Sequence, residues 1–173
     1  MKSRKNIILI ISLLLFILSS CEEKIITFDG QNSSSVTIDW QTTIGEKDFD
    51  EIKQIISTSD GGYIAIGSML NVDWNYWVLK FNADTLQWQK TYGGSNADFG
   101  CSVLETSDGN FVLIGYSNSV DGNISISHGA YDVWVVKIDS QGNILWENCF
   151  GGSGNETVSS ESIIPGDLGG FIF

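Results

Sequence analysis

Trp88-Gln89-Lys90-Thr91-Tyr92-Gly93-Gly94-Ser95, then Thr106-Ser107-Asp108-Gly109-Asn110-Phe111, then Trp134-Val135-Val136-Lys137-Ile138-Asp139, then Gly142-Asn143-Ile144-Leu145-Trp146, form a pattern that the chain uses more than once. Upstream, Trp40-Gln41-Thr42-Thr43-Ile44-Gly45, Thr58-Ser59-Asp60-Gly61-Gly62-Tyr63 and Trp77-Val78-Leu79-Lys80 repeat it. Downstream it restarts at Trp146 and reaches Gly170-Phe171-Ile172-Phe173. Units of this length cannot each bury an apolar face alone, so they are expected to stack on one another.

Within one unit, turn chemistry separates four strand-sized segments. Cys101 to Thr106 leads into Ser107-Asp108-Gly109-Asn110, a hairpin signal. Phe111 to Tyr116 is a continuous apolar run, as a strand covered on both faces requires. A long polar stretch precedes Val133 to Ile138, and Ser140-Gln141-Gly142-Asn143 turns the chain into Ile144 to Phe150. Almost nothing has a helical period. The fold expected is all-β, with four-stranded antiparallel units arranged as the blades of a β-propeller. About two and a half units are present, near residues 45–92, 93–150 and 151–173. The last is read as truncated, so the chain is expected to be part of a longer product. Trp40 to Gly45 reads as an orphan fourth strand.

Tyr92-Gly93-Gly94-Ser95, Asp108-Gly109-Asn110, Gly115-Tyr116-Ser117, Asp132, Lys137 and Gly142 together resemble the SBBP-type bacterial propeller repeats. The resemblance runs from Trp40 to the C-terminus. It implies an extracytoplasmic propeller whose ligand is unsettled. A fainter likeness to quinoprotein-type repeats rests on Asp139, Gly142 and Trp146.

The N-terminus carries Lys2, Arg4 and Lys5, an apolar run from Ile7 to Leu18, and Leu18-Ser19-Ser20-Cys21. Positive start, short apolar run and small residues make a secretory signal. The run is shorter than the ~20 residues a membrane span needs. The last four residues resemble the lipobox of bacterial lipoproteins, which implies diacylation of Cys21 and removal of residues 1–20. Glu22-Glu23-Lys24 and a Gln-, Asn- and Ser-rich stretch to Ser35 then read as a flexible tether. The acidic start resembles the surface-export signal of Bacteroidota lipoproteins and implies the outer membrane or the cell surface.

The whole chain carries a formal charge of −12. Residues 1–20 hold three bases and no acid, so without them six basic residues face 21 acidic ones, or −15. That balance excludes nucleic acid as a partner, since phosphates demand Lys and Arg. It also argues against a second, electrostatic contact with anionic lipid. Membrane association is therefore expected through the lipid alone.

Chemistry has few candidate residues. His128 is the only histidine, so a multi-His zinc site is excluded. There is no Gly-x-Ser-x-Gly elbow for a nucleophile. Asp50, Asp98 and Glu156 each follow a crossover glycine by five residues. A carboxylate ring of that kind could hold Ca²⁺, and no other cofactor is expected. The plainer reading, that each accepts backbone N–H bonds at its crossover, weighs more. Gly93-Gly94 and Gly151-Gly152 are expected at those crossovers because glycine allows positive φ and close approach. Cys101 and Cys149 fall on first and last strands of one unit, too far apart to pair, and are expected as free, half-buried thiols.

Departures from the repeat point to function. The stretch before Trp134 is longer than its counterpart before Trp77 and holds Asp121, Asn123, His128, Tyr131 and Asp132. Trp74 and Tyr76, placed in the shorter loop, could add stacking surface. These seven residues form a candidate binding rim on the crossover face. The expectation is a binding module for a glycan, peptide or envelope partner, with no catalytic residues assigned. A polysaccharide hydrolase or lyase, or a structural envelope component, are the alternatives.

Overall fold

The computed structural model describes residues 44–45, 49–166 and 170–173. The lipobox with Cys21, the tether and most of the orphan strand at Trp40 lie outside the described residues. All regular elements described are strands. The first sheet contains β1 (Asp50–Ser57), β2 (Tyr63–Leu70), β3 (Trp74–Asn82) and β4 (Thr85–Tyr92). The second contains β5 (Asp98–Glu105), β6 (Phe111–Ser117), β7 (Asp132–Ile138) and β8 (Ile144–Phe150). Each sheet pairs its strands in chain order, and every pair is antiparallel. A short hairpin of β9 (Ile164–Pro165) and β10 (Phe171–Ile172) opens a third unit.

The repeated turns share one build. In Thr58–Gly62 and Thr106–Asn110 the glycine N–H bonds the threonine carbonyl, at 3.0 and 2.9 Å, and the outer residues pair. Gly61 and Gly109 hold φ of 84° and 75°, the left-handed step such a turn requires. Asp139–Asn143 is closed the same way, with Gly142 at φ 77°. The aspartate of the first two turns has a second role. Asp60 takes a 2.8 Å ion pair from Lys80, and Asp108 takes one of 2.7 Å from Lys137. The recurrence of Ser-Asp-Gly with a lysine on the third strand is therefore an interlock within each unit.

Lys80 is buried, and its ammonium also bonds the Thr58 hydroxyl and the Phe81 carbonyl. The Lys80 bond, followed by that from Thr58, holds the Asp60 carboxyl down to about 2. A depressed carboxyl stabilises the fold fully above its unfolded value near 3.9, and the contribution is lost as pH falls through the folded value. Asp60→Asn is expected to cost about 1 kcal/mol at pH 7, at the upper end for a pair with one exposed partner. In urea titrations the gap from the native chain should close as pH drops from 4 towards 2. A gap that stayed constant over that range would remove the ion pair from the account.

The two sheets pack face to face. Ile64, Ile66, Tyr76, Val78 and Tyr92 of the first meet Val103, Phe111, Leu113, Trp134, Val136, Ile138 and Cys149 of the second. Polar bonds run along both margins. Near the first strands, Gln54 accepts from the Ser102 hydroxyl and Val103 N–H, at 2.9 and 2.6 Å. Beside the outer strand, Trp88 Nε1 donates to Ser140 O, the Tyr92 hydroxyl to Gly142 O, and Lys90 to Asn143 Oδ1. The opposite face of the second sheet meets Ile163, Val158 and Phe171 of the third unit.

Boundaries shift by a few residues from expectation. The first strand of the second unit begins at Asp98 rather than Cys101. Trp74 and Tyr76 are not in a loop. They pair with Leu70 and Ser68 as the start of β3, leaving only residues 71–73 as the turn. Cys101 and Cys149 are free, and they are buried rather than half-buried. Burial pushes their thiols up to about 11 and about 12.

Candidate functional site

The long connection of residues 118–131 is pinned to the chain on both sides. Towards Gly93 to Ala97, Asp121 Oδ1 accepts from Ser95 N–H at 2.7 Å. Asn123 Oδ1 accepts from Gly93 N–H while Asn123 N–H reaches Gly93 O, both at 3.0 Å. Ile124 is buried in the core between the sheets. Towards the third unit, Ala130 N–H bonds Gly154 O and Tyr131 O accepts from Glu156 N–H. Asp121 and Asn123 are thus occupied in holding the loop. The Ser95 bonds keep the Asp121 carboxyl below the usual range.

The repeated carboxylates each sit at their own crossover. Asp98 is fully buried; its carboxylate accepts from the Ser117 and Ser119 hydroxyls and from Gly94 N–H. Burial pushes its proton affinity up, and these bonds oppose that. Glu156 accepts from Gly152 N–H at 3.0 Å. Asp50 lies against Gly45. Among the described residues no three His, Cys, Asp or Glu side chains gather into a group that could hold a metal. Two of the crossover glycines, Gly93 and Gly151, are required by contact. A Cβ on Gly93 would collide with Asn75 and Asp98, and one on Gly151 with Asp132 and Glu156. Gly151 does not have positive φ.

The other proposed rim residues divide. Tyr76 is fully buried, packs on Trp134 at 4.7 Å between ring centroids, and donates its hydroxyl to Trp134 O at 2.9 Å. It belongs to the core, beneath the rim. Asp132 is also buried, whereas the His128 side chain is 43% exposed with Nδ1 3.7 Å from Asp132 Oδ2. Trp74 and Tyr131 remain half-buried at the crossover end. They occupy equivalent places in their units, and two residues unmarked by the sequence reading join them.

Phe99 and Tyr116 pair across β5 and β6, with centroids 5.1 Å apart. Trp74 packs on Phe99 at 5.5 Å, and Tyr131 meets Tyr116 edge-on at 5.6 Å. The result is a run of four half-buried rings, Trp74–Phe99–Tyr116–Tyr131, drawn from both sheets and the long loop. Glu51 and Ser68 stand in the first unit where Phe99 and Tyr116 stand in the second. Comparing units position by position therefore held the missing signal.

No protein-family model and no curated protein sequence matches this chain.

Proposed function

We propose that the chain is a propeller-type, lipid-anchored binding module, held outside the cytoplasm through Cys21 and recognising a glycan at the crossover end. The observation that supports this reading is the ring run Trp74–Phe99–Tyr116–Tyr131 beside a loop carrying His128. Half-buried aromatic rings offer flat apolar surface to the C–H face of a sugar, and polar groups beside them can take its hydroxyls. Repetition accounts for the scaffold, while Phe99 and Tyr116 replace Glu51 and Ser68 of the first unit. Binding energy belongs to such a grafted site rather than to the fold. The acidic surface agrees with a neutral or basic ligand and disfavours an acidic one.

The test is binding of neutral oligosaccharides, screened on an array and then measured by calorimetry. Trp74→Ala and Tyr131→Ala are each expected to weaken the best ligand about tenfold, from roughly 1.5 kcal/mol of ring contact. Circular dichroism checks that the fold persists. Absence of any glycan ligand, or full affinity in both variants, would sink the assignment. Deleting the loop is a poorer test, because Ile124 and the crossover bonds would go with it. Replacement of Cys21 with Ala, read by loss of acyl-chain labelling and of membrane association, tests the anchor separately.

A further inference from the structure

We propose that Asp132 and Glu156 form a binding site for one hard divalent cation of the Ca²⁺ class at the crossover from the second sheet to the third unit. Asp132 is 0% exposed. Its Oδ2 accepts from His128 N–H at 2.6 Å and stands 3.3 Å from the Ser127 hydroxyl. Its Oδ1 is buried and has no hydrogen-bond partner. A buried carboxylate oxygen left without a donor is costly, so it calls for a ligand.

Oδ1 and a second carboxylate oxygen, Glu156 Oε2, converge on the backbone of Gly151. Both lie under 3.0 Å from the point where a Cβ on Gly151 would stand. Two carboxylate oxygens so close repel each other unless a positive charge lies between them. A Ca²⁺ ion bonds oxygens at about 2.3–2.6 Å and accepts two carboxylates with water or backbone oxygens completing its shell. The residues 151–155 beside the pair are exposed, so water and ion have access.

The first sheet provides an internal comparison. At the equivalent crossover, Asn75 Oδ1 and Asp98 Oδ2 crowd Gly93 in the same way. There the partner is a neutral amide, and Asp98 Oδ2 takes the Ser119 hydroxyl besides Gly94 N–H, whereas Glu156 Oε2 takes the corresponding Gly152 N–H. One position therefore changes from amide to carboxylate between units, and only at the second does an acid pair meet with an oxygen left unbonded.

Calorimetric titration of the chelator-treated chain with CaCl₂ is expected to show one site with Kd of roughly 0.1–1 mM, the range of extracellular Ca²⁺ modules. Asp132→Asn and Glu156→Gln should abolish it, while Asp121→Asn, in the loop before Asp132, should not. Melting gives a second readout. In chelator, Asp132→Asn should melt at or above the native chain, because the amide removes the repulsion and can donate to Glu156. At about 10 mM Ca²⁺ the order should reverse, since only the native chain gains from binding. No binding heat at that concentration, or native-like binding by Asp132→Asn, overturns the site. So does a lower melting point of Asp132→Asn in chelator, which would make Asp132 a hydrogen-bond acceptor and nothing more. If Asp132→Asn fails to fold, Glu156→Gln, at a half-exposed position, carries the same comparison.

Discussion

Trp134→Ala is expected to remove about 4 kcal/mol of folding stability, within the range for truncating a large buried aromatic. Trp134 is fully buried where the two sheets meet. Its ring packs on Tyr76, and its Nε1 donates to Glu147 Oε2 at 2.9 Å. Removing the indole opens a cavity beneath both sheets and leaves Tyr76 without its neighbour. The closely packed interior can relax only in part around such a void. Trp146, in the outer strand and 39% exposed, supplies the contrast. Urea unfolding of the two alanine variants should show the Trp134 loss several times larger than the Trp146 loss. Comparable losses would mean that the contact between the sheets is not the main source of stability.

Gly115→Ala should cost about 3 kcal/mol, at the upper end for forcing extra volume into a packed interior. A Cβ there would be driven into the Phe99 carbonyl oxygen and would also press on the Tyr76 hydroxyl, 2.6 Å away. Backbone cannot yield as a flexible side-chain tip can. Gly67, at the same place in the first sheet, would meet the Glu51 carbonyl, so Gly67→Ala should behave alike. The cause lies across the hairpin. Pairing slips between Ile52 and Gln54 opposite Gly67, and between Gly100 and Ser102 opposite Gly115. Such bulges turn the strand and bring carbonyls over the partner's Cα. Gly152, with no atom within 4 Å of its would-be Cβ, is the control and should accept alanine with little change. Thermal melts of the three variants separate these cases; a mild effect at both Gly67 and Gly115 would show that the bulges are soft.

Comparing the units in the sequence exposed four strands, their antiparallel order and the glycine-closed turns, because turn chemistry and apolar runs act over a few residues. The same comparison identified Lys80 and Lys137 as repeated without revealing their ion pairs, since a lysine's partner depends on how two strands register. It placed Tyr76 in a loop because everything between Ser68 and Trp77 reads as connection, whereas pairing continues to Leu70 and Trp74 and leaves only Asn71 to Asp73. A tight turn at those residues puts Tyr76 inside. Asp121 and Asn123 looked like free loop groups, yet backbone N–H groups of the preceding crossover claim them. Phe99 and Tyr116 escape that comparison as site residues, although their replacement of Glu51 and Ser68 is visible, because Phe99 falls before the strand expected from Cys101 and Tyr116 ends an apolar run that reads as core.

By itself the sequence determined the class of architecture: all-β, built from repeated four-stranded antiparallel sheets, with acid in excess and one histidine. Those properties follow from local periodicity, turn residues and composition, none of which needs distant contacts. The tertiary structure alone decided which rings share a surface, which carboxylates are already bonded, and that Asp132 and Glu156 converge at Gly151 with an Asp132 oxygen unpaired. Each of those depends on residues far apart in the chain being brought within a few ångströms, and register, bulges and the pinned loop set those distances.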